Sequence, residues 1–111
     1  MYVILFAEAP QFVNTREMQQ NTHLVKPRGS TIRLRCRASG RPRPDIWWFH
    51  NGALLPPSVA TEEDGSKSDK WTLKLSDVSD DHDGRYTCRV QNRAGAVNYT
   101  YYVEVVGRSY A

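Results

Sequence analysis

Apolar and polar residues alternate in short bursts along this chain, separated by clusters of turn-forming residues. Thr31–Arg37 is the clearest burst. Ile32, Leu34 and Cys36 fall on one side and Arg33, Arg35 and Arg37 on the other, the period of a strand with one buried face. Asp45–His50 predicts another strand, with Ile46 and Trp48 inward, Trp47 and Phe49 outward, and Asn51-Gly52 as its closing turn. Trp71–Leu75 offers Trp71, Leu73 and Leu75 to the interior. Gly84–Asn92 offers Tyr86, Cys88 and Val90, leaving Arg85, Thr87, Arg89 and Gln91 outside. After a turn at Ala94-Gly95, the last strand, Ala96–Val106, is expected to bury Val97, Tyr99, Tyr101, Val103 and Val105.

The remaining segments read as edges and connections. Ala9-Pro10-Gln11-Phe12 suits an edge strand, where a missing N–H is tolerated. Thr22–Lys26 is a second short edge segment, ended by the turn Pro27-Arg28-Gly29-Ser30. Gly40–Pro44 reads as a loop, Ala53–Lys70 as polar and turn-rich, and Ser76–Gly84 as a crossing turn. No helix longer than a turn or two is expected, so the class is all-β.

The length of 111 residues fits one domain. Residues 9–106 are expected to form it, with 1–8 an extension and 107–111 the start of a linker. The apolar run Tyr2–Ala7 is too short to span a membrane and lacks the flanks of a signal peptide, so the chain is expected to be a piece of something larger. Its two cysteines, Cys36 and Cys88, lie 52 positions apart, bracket Trp48, and are accompanied by Tyr86 two residues before the second. This is the frame of an immunoglobulin-like β-sandwich of two antiparallel sheets. There a disulfide joins the sheets, a tryptophan packs on it, and a tyrosine pins the corner. Such a Cys36–Cys88 bond implies an oxidising, extracellular setting. The alternative is two unrelated buried thiols, which the register of Trp48 and Tyr86 argues against.

Two stretches, Cys36 to Trp48 with Asn51-Gly52, and Gly84-Arg85-Tyr86-Thr87-Cys88 with Asn92-Arg93-Ala94-Gly95, resemble the intermediate set of immunoglobulin domains. A narrower resemblance runs through Ala9-Pro10, Asn14-Thr15, Met18, His23 and Val25, then Trp71-Thr72-Leu73, Asn98-Tyr99-Thr100-Tyr101 and Val105-Val106-Gly107-Arg108-Ser109. Over nearly the whole chain it is similar to the second immunoglobulin-like domain of the fibroblast growth factor receptors. The resemblance implies an ectodomain module of a single-pass cell-surface receptor that binds a fibroblast growth factor and heparan sulfate, with receptor dimerisation activating a cytoplasmic kinase that is absent here. It implies that basic residues on the strand of Arg33 and Arg35 meet the polysaccharide. It also implies that Leu24, Val25 and Arg108 meet the growth factor. One departure matters: the family often carries lysines around the position of Met18, where this chain has Glu17 and Gln20.

The charge pattern bears on the same reading. A net charge of only +3 hides a basic stretch, Lys26, Arg28, Arg33, Arg35, Arg37, Arg41 and Arg43, and an acidic one from Glu62 to Asp83. Arg33, Arg35 and Arg37, sharing one outward face beside Lys26 and Arg28, suit a sulfated chain whose anions recur along its length. The competing reading is a solvated face that discourages edge pairing. Nucleic acid is set aside, since no known module for it matches. Asn98-Tyr99-Thr100 is an N-glycosylation sequon with Asn98 expected outward. His82 stands where the intermediate set usually has an aspartate paired with an arginine, so either Asp81 or Asp83 stands in or the pair is lost. His23, His50 and His82 fall on separate segments and no metal or nucleophile motif appears. No cofactor, metal or catalysis is therefore expected. The reading from a different class is an adhesive or structural intermediate-set module of a cell-adhesion or matrix protein.

Overall fold

The computed structural model describes residues 6–56 and 70–107. Strands β1 (Glu8–Phe12), β2 (His23–Pro27), β3 (Ile32–Arg35), β4 (Ala38–Arg41), β5 (Asp45–His50), β6 (Ala53–Leu54), β7 (Thr72–Leu75), β8 (Gly84–Asn92) and β9 (Gly95–Val106) are joined by one short helix, α1 (Thr15–Gln20), and a 3₁₀ turn at Asp80–His82. β1 begins at Glu8, one residue before the expected boundary, and β9 ends at Val106.

The strands form a sandwich. The wide layer has the order β2-β9-β8-β5-β6, and the narrow layer consists of two pairs, β1-β4 and β3-β7. β3 and β4 are consecutive pieces of one run through Cys36 and Arg37, whose backbones bond to either side: Cys36 N–H donates to Trp71 O at 2.9 Å and Val13 N–H to Arg37 O at 2.9 Å. Two features depart from the sequence reading. β4 includes Gly40 and Arg41, which were expected in a loop, and β2 pairs with β9 in parallel rather than antiparallel fashion. Both depend on which distant strand lies alongside, and local alternation carries no record of that.

The core is the one the alternation predicts. Cys36 and Cys88 are fully buried and joined, with Cα atoms 6.5 Å apart. Trp48, opposite Cys88 in the β5–β8 ladder, is 1% exposed. Ile32, Leu34, Leu73, Leu75, Tyr86, Tyr101, Val103 and Val105 join the cluster, and Met18 and Val78, which lie outside the predicted strands, complete it. Trp71, Ile46, Val97 and Tyr99 are only half-buried. The hydroxyl of Tyr86 donates to His82 O at 2.6 Å, pinning the crossing turn. Burial, then the negative charge of Asp83, push its pKa up to about 12.

Two turns depend on glycine. Asn51 and Gly52 have φ of 50° and 87°, the left-handed pair that a two-residue hairpin turn requires. Gly84, at φ 128°, sits against the Asn51 side chain, and a Cβ there would lie 2.3 Å from Asn51 Oδ1. That oxygen instead accepts from Arg85 N–H at 2.9 Å. The turn after β5 is thereby fastened to the start of β8.

Candidate ligand-binding face

The outward side of β3 carries the basic row. Because Ile32, Leu34 and Cys36 are each no more than 1% exposed, parity turns Arg33, Arg35 and Arg37 to solvent, and all three are exposed. Their spacing along an extended backbone is about 7 Å per pair of residues. The row continues past β3 because Arg37 stays extended, its N–H donating to Asn14 Oδ1 at 3.0 Å. The β3–β7 register sets Lys74 directly opposite Arg33. The pairing thus brings a fourth basic side chain beside the row. In the sequence Lys74 stands within the acidic stretch, and only the strand pairing brings it to the arginines.

Helix α1 borders the same row. With six residues it is too short to hold itself together, and it is anchored by Met18, 1% exposed in the core. Asn14 Nδ2 donates to Glu17 Oε1 at 3.0 Å and to Arg35 O at 3.3 Å, which fixes the helix beside β3. Glu17 Oε2 then lies 3.6 Å from Arg35 Nη1, with both side chains 44% exposed. The carboxylate that departs from the family pattern is therefore directed at the centre of the basic row and offsets part of its charge.

The other two expected cations belong elsewhere. Arg28 follows β2 and is held by Asp80 in a two-pronged contact, Nη2 to Oδ2 at 2.7 Å and Nε to Oδ1 at 3.1 Å. Asp80, rather than Asp81 or Asp83, thus takes the arginine at this turn. Asp83 Oδ1 accepts from Val105 N–H, while His82 Nδ1 accepts from Ser79 N–H at 2.9 Å, a structural cap. Lys26 is exposed on β2, in the wide layer. The row proper is Arg33, Arg35 and Arg37 with Lys74, and Arg28 is committed to Asp80.

At the β2 edge, parity separates the two apolar candidates. Val25 is 60% exposed, whereas Leu24 turns inward and packs against the core cluster. Adjacent residues of one strand point to opposite faces, so an exposed Leu24–Val25 pair is not available. His23 stacks on Tyr102 beside Val25, with ring centroids 5.0 Å apart. Arg108 lies outside the described residues, as do Glu62, Glu63, Asp64 and Asp69 of the acidic stretch. Among the described residues no cluster of His, Cys, Asp or Glu could hold a metal ion, and no helix is long and apolar enough to cross a membrane.

Comparison with known proteins agrees with this architecture. A family model described as "Immunoglobulin domain" matches residues 10–92. "Fibroblast growth factor receptor-like 1" of Homo sapiens is 43% identical over 100 residues, covering 90% of this chain and 19% of that protein. "Fibroblast growth factor receptor 1" of Pleurodeles waltl is 33% identical over 101 residues, covering 91% of this chain and 12% of the other. The chain thus spans less than a fifth of either relative. Among solved structures, a tandem of titin immunoglobulin domains superposes with a TM-score of 0.72 at 28% identity, covering 94% of this chain and 52% of that one. The first four immunoglobulin domains of Sidekick-1 give 0.70 at 20% identity, covering 90% of this chain and 25% of the other, a likeness of fold alone.

Proposed function

Because this chain belongs to the immunoglobulin domain family, and among its members to the Ig-like domains of the fibroblast growth factor receptors, we propose that it is an extracellular ligand-binding module that holds heparan sulfate on its narrow sheet and a fibroblast growth factor at its β2 edge. The fold is non-catalytic, and the domain works by presenting surface. The observation that carries the reading is the row of Arg33, Arg35 and Arg37 on one exposed face, with Lys74 across the ladder. A sulfated chain binds such a row through repeated charge-assisted contacts, each guanidinium meeting sulfate oxygens with its planar fork. Binding therefore weakens as salt screens the contacts.

Val25, with Arg108 beyond β9, supplies the apolar and polar contacts for the growth factor. Val106, at the end of β9, lies opposite Pro27, two residues from Val25. Engagement of both ligands is then the step that drives receptor dimerisation.

The test is elution from a heparin column. The wild-type domain is expected to elute at higher salt than an immunoglobulin domain of the same net charge. Arg33→Ala with Arg35→Ala should remove that excess while leaving the melting temperature unchanged. Elution of the double variant together with wild type would sink the proposal. Val25→Ser should leave elution unchanged and weaken growth-factor binding in a titration with the isolated ligand.

A further inference from the structure

The outward positions of β3 continue onto β4. Exposed residues alternate with buried or half-buried ones without a break from Thr31 to Arg41, so Ser39 and Arg41 share a side with Arg33, Arg35 and Arg37. Pairing with β1 keeps this end extended, Ser39 lying opposite Gln11 and Arg41 opposite Glu8. Gly40 is packed on the inner side, where a Cβ would stand 2.9 Å from Pro44 Cγ and 3.1 Å from Asn92 Nδ2. That amide donates to Glu8 O at 2.7 Å and to Pro42 O at 2.9 Å. It thereby clamps both the residue after Arg41 and the one across the ladder from it. The Arg41 side chain is 69% exposed, and its Nε stands 3.9 Å from Glu8 Oε1, a loose contact.

We propose that Arg41 is a second anion subsite for the sulfated polysaccharide, which lies lengthwise along the β3–β4 run. One group of its anions meets Arg33, Arg35 and Arg37. A stretch without sulfate passes over Ser39 and Gln11, and a further sulfate or carboxylate meets Arg41. The subsite presupposes heparan sulfate on β3, and it adds the direction in which the chain runs and the place where it ends.

Charge decides between a lengthwise and a crosswise path. Crosswise, the ladder offers Lys74 opposite Arg33, but the neighbouring position, Thr72 opposite Arg35, is neutral and buried. On the helix side, Glu17 stands 3.6 Å from Arg35 and repels an anion. Lengthwise, the same strand run supplies Arg35, Arg37 and Arg41 in turn. Eight residues separate Arg33 from Arg41, about 26 Å of extended strand, and the step from Arg37 to Arg41 is about 13 Å. In that gap the Ser39 hydroxyl and the Gln11 amide can hydrogen-bond sugar hydroxyls, which needs no sulfate. The surface therefore suits a chain that is sulfated, bare and sulfated again. At Arg41, as at Arg35, a carboxylate stands beside the arginine, so each subsite is tempered by one acid.

The experiment is calorimetric titration of the whole chain with two sized heparin fragments: a tetrasaccharide, shorter than the run, and a decasaccharide, longer than it. Arg41→Ala should weaken decasaccharide binding about fivefold and leave the tetrasaccharide unchanged. For the decasaccharide alone, the slope of log affinity against log salt should become shallower by about one contact. Glu8→Gln should strengthen decasaccharide binding and not that of the tetrasaccharide, a gain that a folding defect cannot imitate. Equal effects of Arg41→Ala on both fragments, or none on either, would overturn the subsite. The β3 row has its own readout, loss of tetrasaccharide binding in Arg33→Ala with Arg35→Ala. If that loss occurs while Arg41→Ala is silent, β3 stands and only the β4 subsite falls. Tetrasaccharide binding that ignores the β3 pair would overturn both.

Discussion

The two outer faces of this sandwich are built on one core and differ in almost everything else. The narrow face presents Arg33, Arg35 and Arg37 with Lys74 across the ladder. The wide face presents Trp47, Tyr102 and Leu54 around a sequon asparagine. In both, inward residues are fixed by the same packing, so the outward ones are free to specialise. A buried alternation therefore sets which positions are available for function without setting what fills them. The core is common property, and the faces are where this chain departs from other domains of its fold.

The harshest way to break the comparison is to remove the core that both faces share. Replacing Cys36 and Cys88 with alanine should cost about 4 kcal/mol, from the loop-closure entropy of a cross-link this far apart in sequence. Heparin retention and the resistance of Trp47 to acrylamide quenching should fall together in proportion to the unfolded fraction, read from a denaturant titration followed by circular dichroism. If one face survived while the other was lost, the two would not depend on a single cooperative unit.

A gentler change separates them. Met18→Ala leaves a cavity where the helix is anchored and should cost about 3 kcal/mol. Because α1 borders β3 and not the wide face, heparin retention of the folded fraction should change while the quenching of Trp47 stays as in wild type. An equal effect on both would mean that Met18 acts through global stability alone.

Neither face should notice the crossing turn. Tyr86→Phe strands His82 O without its donor and should cost about 1 kcal/mol. The same hydroxyl makes stability fall at alkaline pH. Its pKa is near 10 when unfolded and about 12 when folded, so the unfolded state loses its proton first. Stability is complete below pH 10 and declines as pH rises towards 12. Thermal melts across that window should show a shallower decline in the variant. Part of the slope should persist, because Tyr101, donating to Arg35 O, is likewise raised, chiefly by burial and then by Glu17.

Much of this was legible in the sequence, and the exceptions share a cause. Strand positions, the inward Trp48 and the outward arginines follow from alternation with a period of two, a local property, and the Cys36–Cys88 bond from the frame the two cysteines share with Trp48 and Tyr86. The pairing of β2 with β9, the extension of β4 through Gly40, and the placing of Lys74 against Arg33 depend on contacts between segments far apart in the chain. In the sequence Lys74 has acids for neighbours, and only the β3–β7 ladder sets it beside Arg33. Leu24 is a different case. The rule that separates Arg33 from Leu34 applies equally to Leu24 and Val25, and it predicts that only one of them faces solvent.

The smallest change offers the sharpest test of the narrow face. Glu17 Oε1 accepts from Asn14, and Oε2 lies 3.6 Å from Arg35. Glu17→Gln keeps an oxygen for Asn14 and removes only the charge. An exposed pair of this kind is worth about 0.5 kcal/mol or less, so the melting temperature should hardly move. Heparin retention should nevertheless increase, because a carboxylate in the row repels sulfate whether or not it stabilises the fold. The gain should shrink at high salt, where screening removes the repulsion along with the attraction. If the basic row were only a solvated surface, Glu17→Gln would leave elution where it was, and charge at this position would report on nothing beyond α1.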